Sequence, residues 1–185
     1  MEIRLNGVLS LAAGIVFAAT GLMAQQGSSP NKMHSGMRTG DTYFARTAAT
    51  GGMEEVELGR LAVKNGQSDQ VKQFGQRIID DHSKAADELK TIAEKDNIIL
   101  PTALDATQQA VVDRFSKMSG IAFDRAYMRD MVKDHEKDIA DFQNEASMGS
   151  NMNLKNWASS TLPTLLDHLR MAKDANASLG SMSNK

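Results

Sequence analysis

The stretch VKQFGQRIIDDHSKAADEL, residues 71–89, decides the fold of this chain. Its apolar residues recur every three or four positions, which is the spacing of one face of an α-helix. The polar residue His82 falls inside this apolar stripe. The stripe consists of Val71, Phe74, Ile78, His82, Ala85 and Leu89. The segment is therefore predicted to be a helix that turns an imidazole towards the protein interior.

Three further segments show the same helical spacing and also carry one polar side chain on the apolar face. They are GGMEEVELGRLA (residues 51–62), FDRAYMRDMVKDHEKDIADF (residues 123–142) and LKNWASSTLPTLLDHLRMA (residues 154–172). The polar residues are Glu55, His135 and His168. Glu54 points in nearly the same direction as Glu55, so helical spacing alone leaves the choice between these two glutamates open. Four amphipathic segments predict a bundle of four main helices.

Composition argues against several classes of function. The chain has 185 residues, a formal net charge of −2 and an isoelectric point near 6.1, without the basic surface typical of nucleic-acid binding. It has no cysteine, so disulfides, thiolate chemistry, iron–sulfur clusters and a lipid anchor on cysteine are excluded. Alternating strand-like patterns are absent. The predicted fold class is all-α, with a single helical domain.

The first residues have the pattern of a secretory signal peptide. A positive charge precedes an apolar run that ends in small residues, so residues 1–24 are predicted to direct export and to be removed. A retained N-terminal anchor is the alternative. Residues 25–40, rich in Gly and Ser, are predicted to be a flexible linker, and residues 180–185 a disordered tail. The bundle is predicted to span residues 41–179 of an exported protein that is periplasmic or associated with the cell envelope.

Capping residues predict where the helices begin and end. The main helices are predicted at about residues 41–65, 69–96, 122–148 and 153–179. Asp41 and Ser68 are the predicted caps of the first two helices, and Pro163 is predicted to kink the fourth. Thr102 with Asp105 resembles a capping box. It predicts a short extra helix in the long connection between the second and third main helices.

The four inward polar residues lie near the middle of their helices. A mid-helix position stays at mid-height whether the helix runs up or down, so these side chains are expected in one layer of the bundle. They are Glu55, His82, His135 and His168. Three neutral imidazoles and one carboxylate suit one divalent transition-metal ion, such as iron, manganese, zinc or copper. The sequence predicts these four residues as metal ligands.

Each of the three histidines directly follows an aspartate, namely Asp81, Asp134 and Asp167. Consecutive helical residues point about 100° apart, so an aspartate does not reach the ion of its own neighbour. The aspartates are instead candidates for orienting a histidine of an adjacent helix. The alternative interpretation contains no metal. In it, the histidines, Glu55 and Tyr127 bond one another in a buried polar layer that fixes helix register.

Taken together, the four segments resemble the exported bacterial family DUF4142, a domain of unknown function assigned to the ferritin-like superfamily and often labelled as an outer-membrane protein. The resemblance covers about residues 41–178 and implies a ferritin-like four-helix bundle with no established activity. It also favours Glu55 over Glu54, because the family motif has a glutamate directly before a valine or isoleucine.

Proteins of the wider ferritin-like superfamily often hold two irons through Glu-x-x-His motifs on two helices. In this chain the residues three positions before His82 and His168 are Ile79 and Leu165. The resemblance therefore implies a single ion, or a vestigial site, rather than an oxygen-activating pair of irons or iron storage.

Three functions stay open at the level of sequence. The first is an exported metal-binding bundle that handles metal or protects against stress in the cell envelope. The second is a non-catalytic structural or interaction module of the envelope, with a buried histidine layer and no metal. The third is an enzyme that uses the single ion. Catalysis would depend on this ion, because the sequence contains no serine-nucleophile motif or phosphate-binding loop.

Overall fold

Five helices form the part of the chain that the structure, a computed structural model, describes, which is residues 39–181. They are α1 (Thr39–Asn65), α2 (Asp69–Asp96), α3 (Ala106–Ser116), α4 (Gly120–Met148) and α5 (Met152–Ser181). No strand occurs within these residues, which confirms the all-α prediction. The four long helices form a ferritin-like bundle, and the short helix α3 lies in the connection between α2 and α4, as predicted.

The observed helix ends agree with the predicted ends to within about two residues, which is the usual uncertainty of a helix boundary. α1 begins within the last two positions of the predicted linker, and α5 continues through Pro163. The predicted signal peptide (1–24), most of the linker and the last residues of the tail lie outside the described residues. None of the described helices has the length and apolar character needed to cross a membrane.

Helices α1 and α2 pair as an antiparallel hairpin with a link of three residues, 66–68. Two glycines allow the helices to approach closely. A Cβ atom added to Gly59 would lie only 2.8 Å from the carbonyl oxygen of Gly75. A side chain larger than hydrogen does not fit at this crossing without a shift of backbone. The close approach brings Glu55 of α1 level with His82 of α2.

Helices α4 and α5 form a second antiparallel hairpin, joined by residues 149–151. Near this link, the rings of Phe142 and Trp157 pack with their centroids 5.2 Å apart. Further along the same two helices, the imidazoles of His135 and His168 lie 5.3 Å apart. Each hairpin therefore supplies two of the four inward polar side chains.

Two apolar clusters form the core, one on each side of these polar side chains. The first cluster includes Leu58, Phe74, Ile78, Tyr127, Met131 and Ala172. The second includes Phe44, Leu89, Ile139, Phe142, Trp157 and Leu165. Along each long helix the inward polar residue comes between members of the two clusters; on α4, His135 follows Met131 and precedes Ile139. Burial of both clusters places the polar residues at one level of the bundle.

Asp124, near the start of α4, joins the two hairpins by holding the backbone that leads into α2. Its carboxylate is fully buried and accepts hydrogen bonds from the backbone N–H groups of Gln67 and Ser68, at 3.0 and 2.8 Å. Ser68 is the N-cap residue of α2 as predicted, but its side chain makes no capping hydrogen bond, and Asp124 instead holds the backbone at and just before Ser68.

Asp41 does not cap α1 as predicted but holds the link before α5, whose first-turn N–H groups donate to the side chain of Asn151. It lies inside the first turn of α1, and its carboxylate accepts from the backbone N–H groups of residues 150–151, just before α5. The predicted capping box of α3 is also displaced. Asp105 is the N-cap and its partner is Gln108, whose side chain accepts from the Asp105 N–H; Thr102 takes no part.

Candidate metal centre

Each of the four long helices contributes one polar side chain to a single layer, here called the histidine layer. Its members are Glu55 (α1), His82 (α2), His135 (α4) and His168 (α5). His135 and His168 are fully buried, and Glu55 and His82 are 4% and 9% exposed. One nitrogen of each histidine lies within 4.8 Å of one nitrogen of the other two. The structure thus brings together the three predicted histidines, and Glu55 contacts His82 and His135 at 3.0 and 3.4 Å.

Hydrogen bonds assign the tautomers of two imidazoles. His135 Nδ1 lies 3.0 Å from the carbonyl oxygen of Met131, which only accepts, so this nitrogen carries the proton. His168 Nε2 lies 2.8 Å from a carboxylate oxygen of Asp81 and donates its proton to it. The other nitrogens, His135 Nε2 and His168 Nδ1, then carry lone pairs, and they face each other at 3.3 Å. A cation between these two nitrogens would turn a repulsive contact into an attractive one.

Glu55 and His82 each keep a buried polar atom without a hydrogen-bond partner among the described residues. These atoms are Glu55 Oε1 and His82 Nε2. The second carboxylate oxygen of Glu55 lies 3.0 Å from His82 Nδ1, and Oε1 lies 3.4 Å from His135 Nδ1, which is directed at the Met131 carbonyl. Buried polar groups are rarely left unpaired, so both free atoms indicate that the layer has a further partner.

Burial sets the charge state of the layer. It lowers the pKa of His82 and of His135 from 6.5 to about 4, since imidazolium is poorly solvated there, and it also lowers the pKa of His168. Burial raises the pKa of the Glu55 carboxyl from 4.5 to about 7, although the charge of His135 acts in the opposite direction. At neutral pH the imidazoles are therefore in the uncharged form that binds metal ions.

The imidazoles of His82 and His135 are expected to stay neutral at pH 6 in the folded, metal-free protein. In the unfolded chain both have a pKa near 6.5, so between about pH 6.5 and 4 the unfolded state binds more protons than the folded state. The stability that these two groups contribute is present above pH 6.5 and is lost as the pH falls through this window. Glu55 acts oppositely, because its raised pKa favours the fold below pH 4.5 and that contribution is lost as the pH rises towards 7.

Because these contributions overlap, each histidine has to be measured by itself. The measurement is the chemical shift of each imidazole Cε1–H from pH 8 to pH 5 in chelator-treated protein, with the urea-unfolded chain as the control. For His82 and His135 we expect an inflection near pH 6.5 only in the unfolded chain. An inflection near this pH for folded His82 or His135 would contradict the expected burial effect.

Of the three aspartates that precede a histidine, only Asp81 hydrogen-bonds to a histidine among the described residues. It accepts from His168 Nε2 across the bundle and also from Arg77 of its own helix. Asp134 is half-buried, and burial raises its pKa. Asp167 lies on the surface, where Arg170 donates to it at 2.7 Å. The predicted role of orienting a histidine on an adjacent helix thus fits Asp81 and does not fit the other two.

The layer also involves a carboxyl group that the sequence analysis missed, that of Asp138. Burial and the charge of Glu55 raise the pKa of Asp138 to about 8. It lies three residues after His135 on the same helix. This i, i+3 spacing places the two side chains on neighbouring positions of one helix face, and it is the sequence feature that could have identified Asp138. The metal-free interpretation predicted that Tyr127 bonds within the layer, but its buried hydroxyl has no hydrogen-bond partner among the described residues.

A cavity of about 350 Å³, here called the layer cavity, opens beside the histidine layer. Glu55, His82, His168 and Asp138 line one end of it. Gly51 and Gly52 of α1 form part of its wall. A Cβ atom on Gly52 would lie 3.8 Å from His82 Nδ1, so this part of α1 passes beside the imidazole. The layer cavity provides a route from solvent to His82 and His168.

Comparisons with known proteins agree with the fold. Residues 24–175 match the protein family described as Domain of unknown function (DUF4142). The chain is also similar to a solved structure, the crystal structure of a DUF305 fragment from Deinococcus radiodurans. The TM-score is 0.66 at 12% sequence identity, over 77% of this chain and 97% of that chain. At this identity the similarity shows the fold alone. No curated protein matches this chain.

Proposed function

The chain belongs to the DUF4142 family, whose description gives a domain of unknown function, and we propose from its own residues that it is an exported metal-binding bundle. One divalent transition-metal ion, such as zinc, iron, manganese or copper, binds in the histidine layer. His82, His135 and His168 supply one nitrogen each, and Glu55 supplies a carboxylate oxygen. Imidazole suits these borderline ions, and the carboxylate offsets part of the charge of the ion.

The observation that carries the proposal is the pair of nitrogens that face each other without a proton between them. Met131 and Asp81 hold the protons of His135 and His168 on the opposite ring nitrogens. The remaining two nitrogens are 3.3 Å apart. Two nitrogens bound at about 2.0–2.1 Å to one tetrahedral ion are separated by about 3.3 Å. The layer is therefore already spaced for a shared ion, and its histidine tautomers are the ones that ligation requires.

The number of carboxylates favours one ion over two. A second ion would need a bridging carboxylate three positions before His168. That position is Leu165, which has no carboxyl group and packs in the second apolar cluster. The same position relative to His82 is Ile79, which is also apolar. Asp138 stands at the edge of the layer, where it is 25% exposed and has Lys137 Nζ 3.9 Å away. These residues support a mononuclear site, in which the ion is held or passed on rather than used to activate oxygen with a second iron.

The physiological role that fits such a site is the handling of metal, or protection against metal-dependent stress, in the cell envelope. The predicted signal peptide supports an exported location. The layer cavity supports exchange of the ion, because His82 and Glu55 both line it. Buried metal-ligating side chains favour tight binding of the ion, and the adjoining cavity allows the ion to be released again.

A second candidate function is a structural or interaction module that contains no metal. The contact that favours it is the continuous polar chain from Asp81 through His168 to His135, which by itself ties α2, α5 and α4 together. This interpretation requires a proton between the two facing nitrogens. It also leaves Glu55 Oε1 and His82 Nε2 unpartnered.

Metal analysis of protein purified without an affinity tag separates the two functions. We expect about one equivalent of a transition metal per chain, lost on dialysis against a chelator and regained when the ion is returned. A triple variant with His82, His135 and His168 all changed to alanine serves as the comparison. If wild type and the triple variant contained the same amount of metal, well below one equivalent per chain, the metal site would be excluded.

The aspartates provide a matched pair of variants for the same site. Asp81→Asn is expected to weaken binding of the ion about 10- to 100-fold, because it replaces the charged acceptor that holds the proton on His168 Nε2 with a neutral amide. Asp167→Asn, also directly before a histidine, is expected to leave the affinity within about twofold, since Asp167 contacts only Arg170 at the surface. Competition with a chromophoric chelator measures both affinities. Equal affinities of the two variants would contradict the role of Asp81.

A further inference from the structure

The wall of the layer cavity away from the histidines is aromatic. Phe44, Phe142 and Trp157 line it, and each is at most 8% exposed. Their ring centroids are 5.0 Å apart for the two phenylalanines, and 6.0 and 5.2 Å from each phenylalanine to the indole. These three rings form one continuous apolar surface at which a flat or chain-like organic group can pack.

The charged residues that line the same cavity are all acidic. Asp41, Glu145 and Asp138 are among them, and no lysine or arginine of residues 39–181 lines it. The Asp41 carboxylate is occupied, because it accepts from the backbone N–H groups that precede α5. Glu145 is different, since it is 4% exposed and its Oε1 has no hydrogen-bond partner among the described residues. Aromatic faces together with a carboxylate are the surroundings that bind organic ammonium groups.

Trp157 supplies a second unpartnered group in the wall. Its ring is 5% exposed and lines the cavity, while its Nε1–H, which can only donate, has no acceptor among the described residues. A buried donor and a buried acceptor, both left open beside one cavity, indicate a molecule that carries the complementary groups. Neither residue belongs to the histidine layer, so these two groups are independent of the metal site.

We propose that the layer cavity binds a small organic amine that also carries an acceptor oxygen. The ammonium group donates to Glu145, the apolar body packs on Phe44 and Phe142, and the oxygen accepts from Trp157 Nε1. A volume of about 350 Å³ is near the lower limit of known ligand sites, so the ligand is compact. This binding needs no ion in the histidine layer and is expected in chelator-treated protein as well.

Titration with three related phenols tests the charge preference. The probes are tyramine, which carries an ammonium group; 4-ethylphenol, which lacks it; and 4-hydroxyphenylacetate, which carries a carboxylate in its place. Trp157 is the single tryptophan of the chain, so its fluorescence reports binding in the cavity. We expect saturable changes with tyramine, affinity for 4-ethylphenol about tenfold weaker, and no saturation with the acid. Equal responses to tyramine and 4-ethylphenol, or no saturable response to tyramine, would overturn the proposal.

Two variants locate the amine within the molecule. Glu145→Gln keeps the size of the side chain and is expected to weaken tyramine binding about tenfold, because it removes the charge. Glu88→Gln removes one carboxylate on the surface of α2, beside Lys84, and is expected to leave the affinity unchanged. If Glu145→Gln does not fold, the three-probe series on wild-type protein still decides the proposal. The series is run on chelator-treated protein and repeated on metal-loaded protein. Tyramine binding to the chelator-treated protein supports this proposal even if no ion binds in the histidine layer.

Discussion

Replacing His135 with alanine is expected to abolish the thermal stabilisation that a divalent ion gives the folded protein. An ion present at a hundred times its dissociation constant adds about 2.7 kcal/mol to the free energy of unfolding. For a domain of this size, that amount raises the melting temperature by about 5 to 10 °C. His135 supplies the nitrogen that faces His168 at 3.3 Å, so its loss removes one of the two ligands already spaced for the ion. Melting curves of wild type and variant, each with chelator and with added ion, measure the difference.

A truncation one turn further along α4 provides the matched control. Ile139→Ala removes a buried apolar side chain of the second cluster and is expected to cost about 2–4 kcal/mol, with and without the ion. It should retain the whole stabilisation by the ion, because Ile139 carries no ligand atom. A His135→Ala variant that kept this stabilisation, or that lost equal stability under both conditions, would favour the metal-free polar layer.

The helices can be predicted from local sequence patterns, but the carboxylates that link the two hairpins cannot. The period of three to four residues predicts each long helix, because burying one stripe of side chains is what stabilises a helix in a bundle. A cap predicted from sequence is assumed to serve its own helix. Asp124, however, accepts from a backbone N–H group 57 residues earlier in the chain, and Asp41 accepts from one more than 100 residues later. These partners depend on how the two hairpins pack, which no local pattern contains.

The candidate site shows the same division between local and long-range information. Helical spacing predicts that the three histidines point inwards, and their mid-helix positions predict that they share one layer. For the glutamate, spacing left Glu54 and Glu55 open, and the resemblance to the family favoured Glu55. Spacing does not distinguish Asp81 from Asp134 and Asp167, because all three stand in the same position relative to a histidine. Only the rotation and packing of α5 against α2 bring the His168 ring within 2.8 Å of Asp81.

Asp124→Ala is expected to cost the fold about 3–5 kcal/mol, the largest effect of a single carboxylate substitution outside the histidine layer. The substitution removes two charge-assisted hydrogen bonds and leaves the N–H groups of Gln67 and Ser68 without their acceptor in a partly buried place. It also breaks a link between the two hairpins, so the loss is not confined to the end of α2. Urea unfolding followed by circular dichroism gives the change in the free energy of unfolding.

The matched control for Asp124 is Asp105, which also accepts from two backbone N–H groups, at 2.8 and 2.9 Å, but in an exposed position at the start of α3. Water replaces the lost acceptor there, so Asp105→Ala is expected to cost only about 1 kcal/mol. Equal costs for the two variants would show that burial of Asp124, and its contact between hairpins, adds nothing to an ordinary cap. A clearly larger cost for Asp124→Ala, shared by Asp41→Ala, would show that these two buried carboxylates hold the hairpins in the register that aligns the histidine layer.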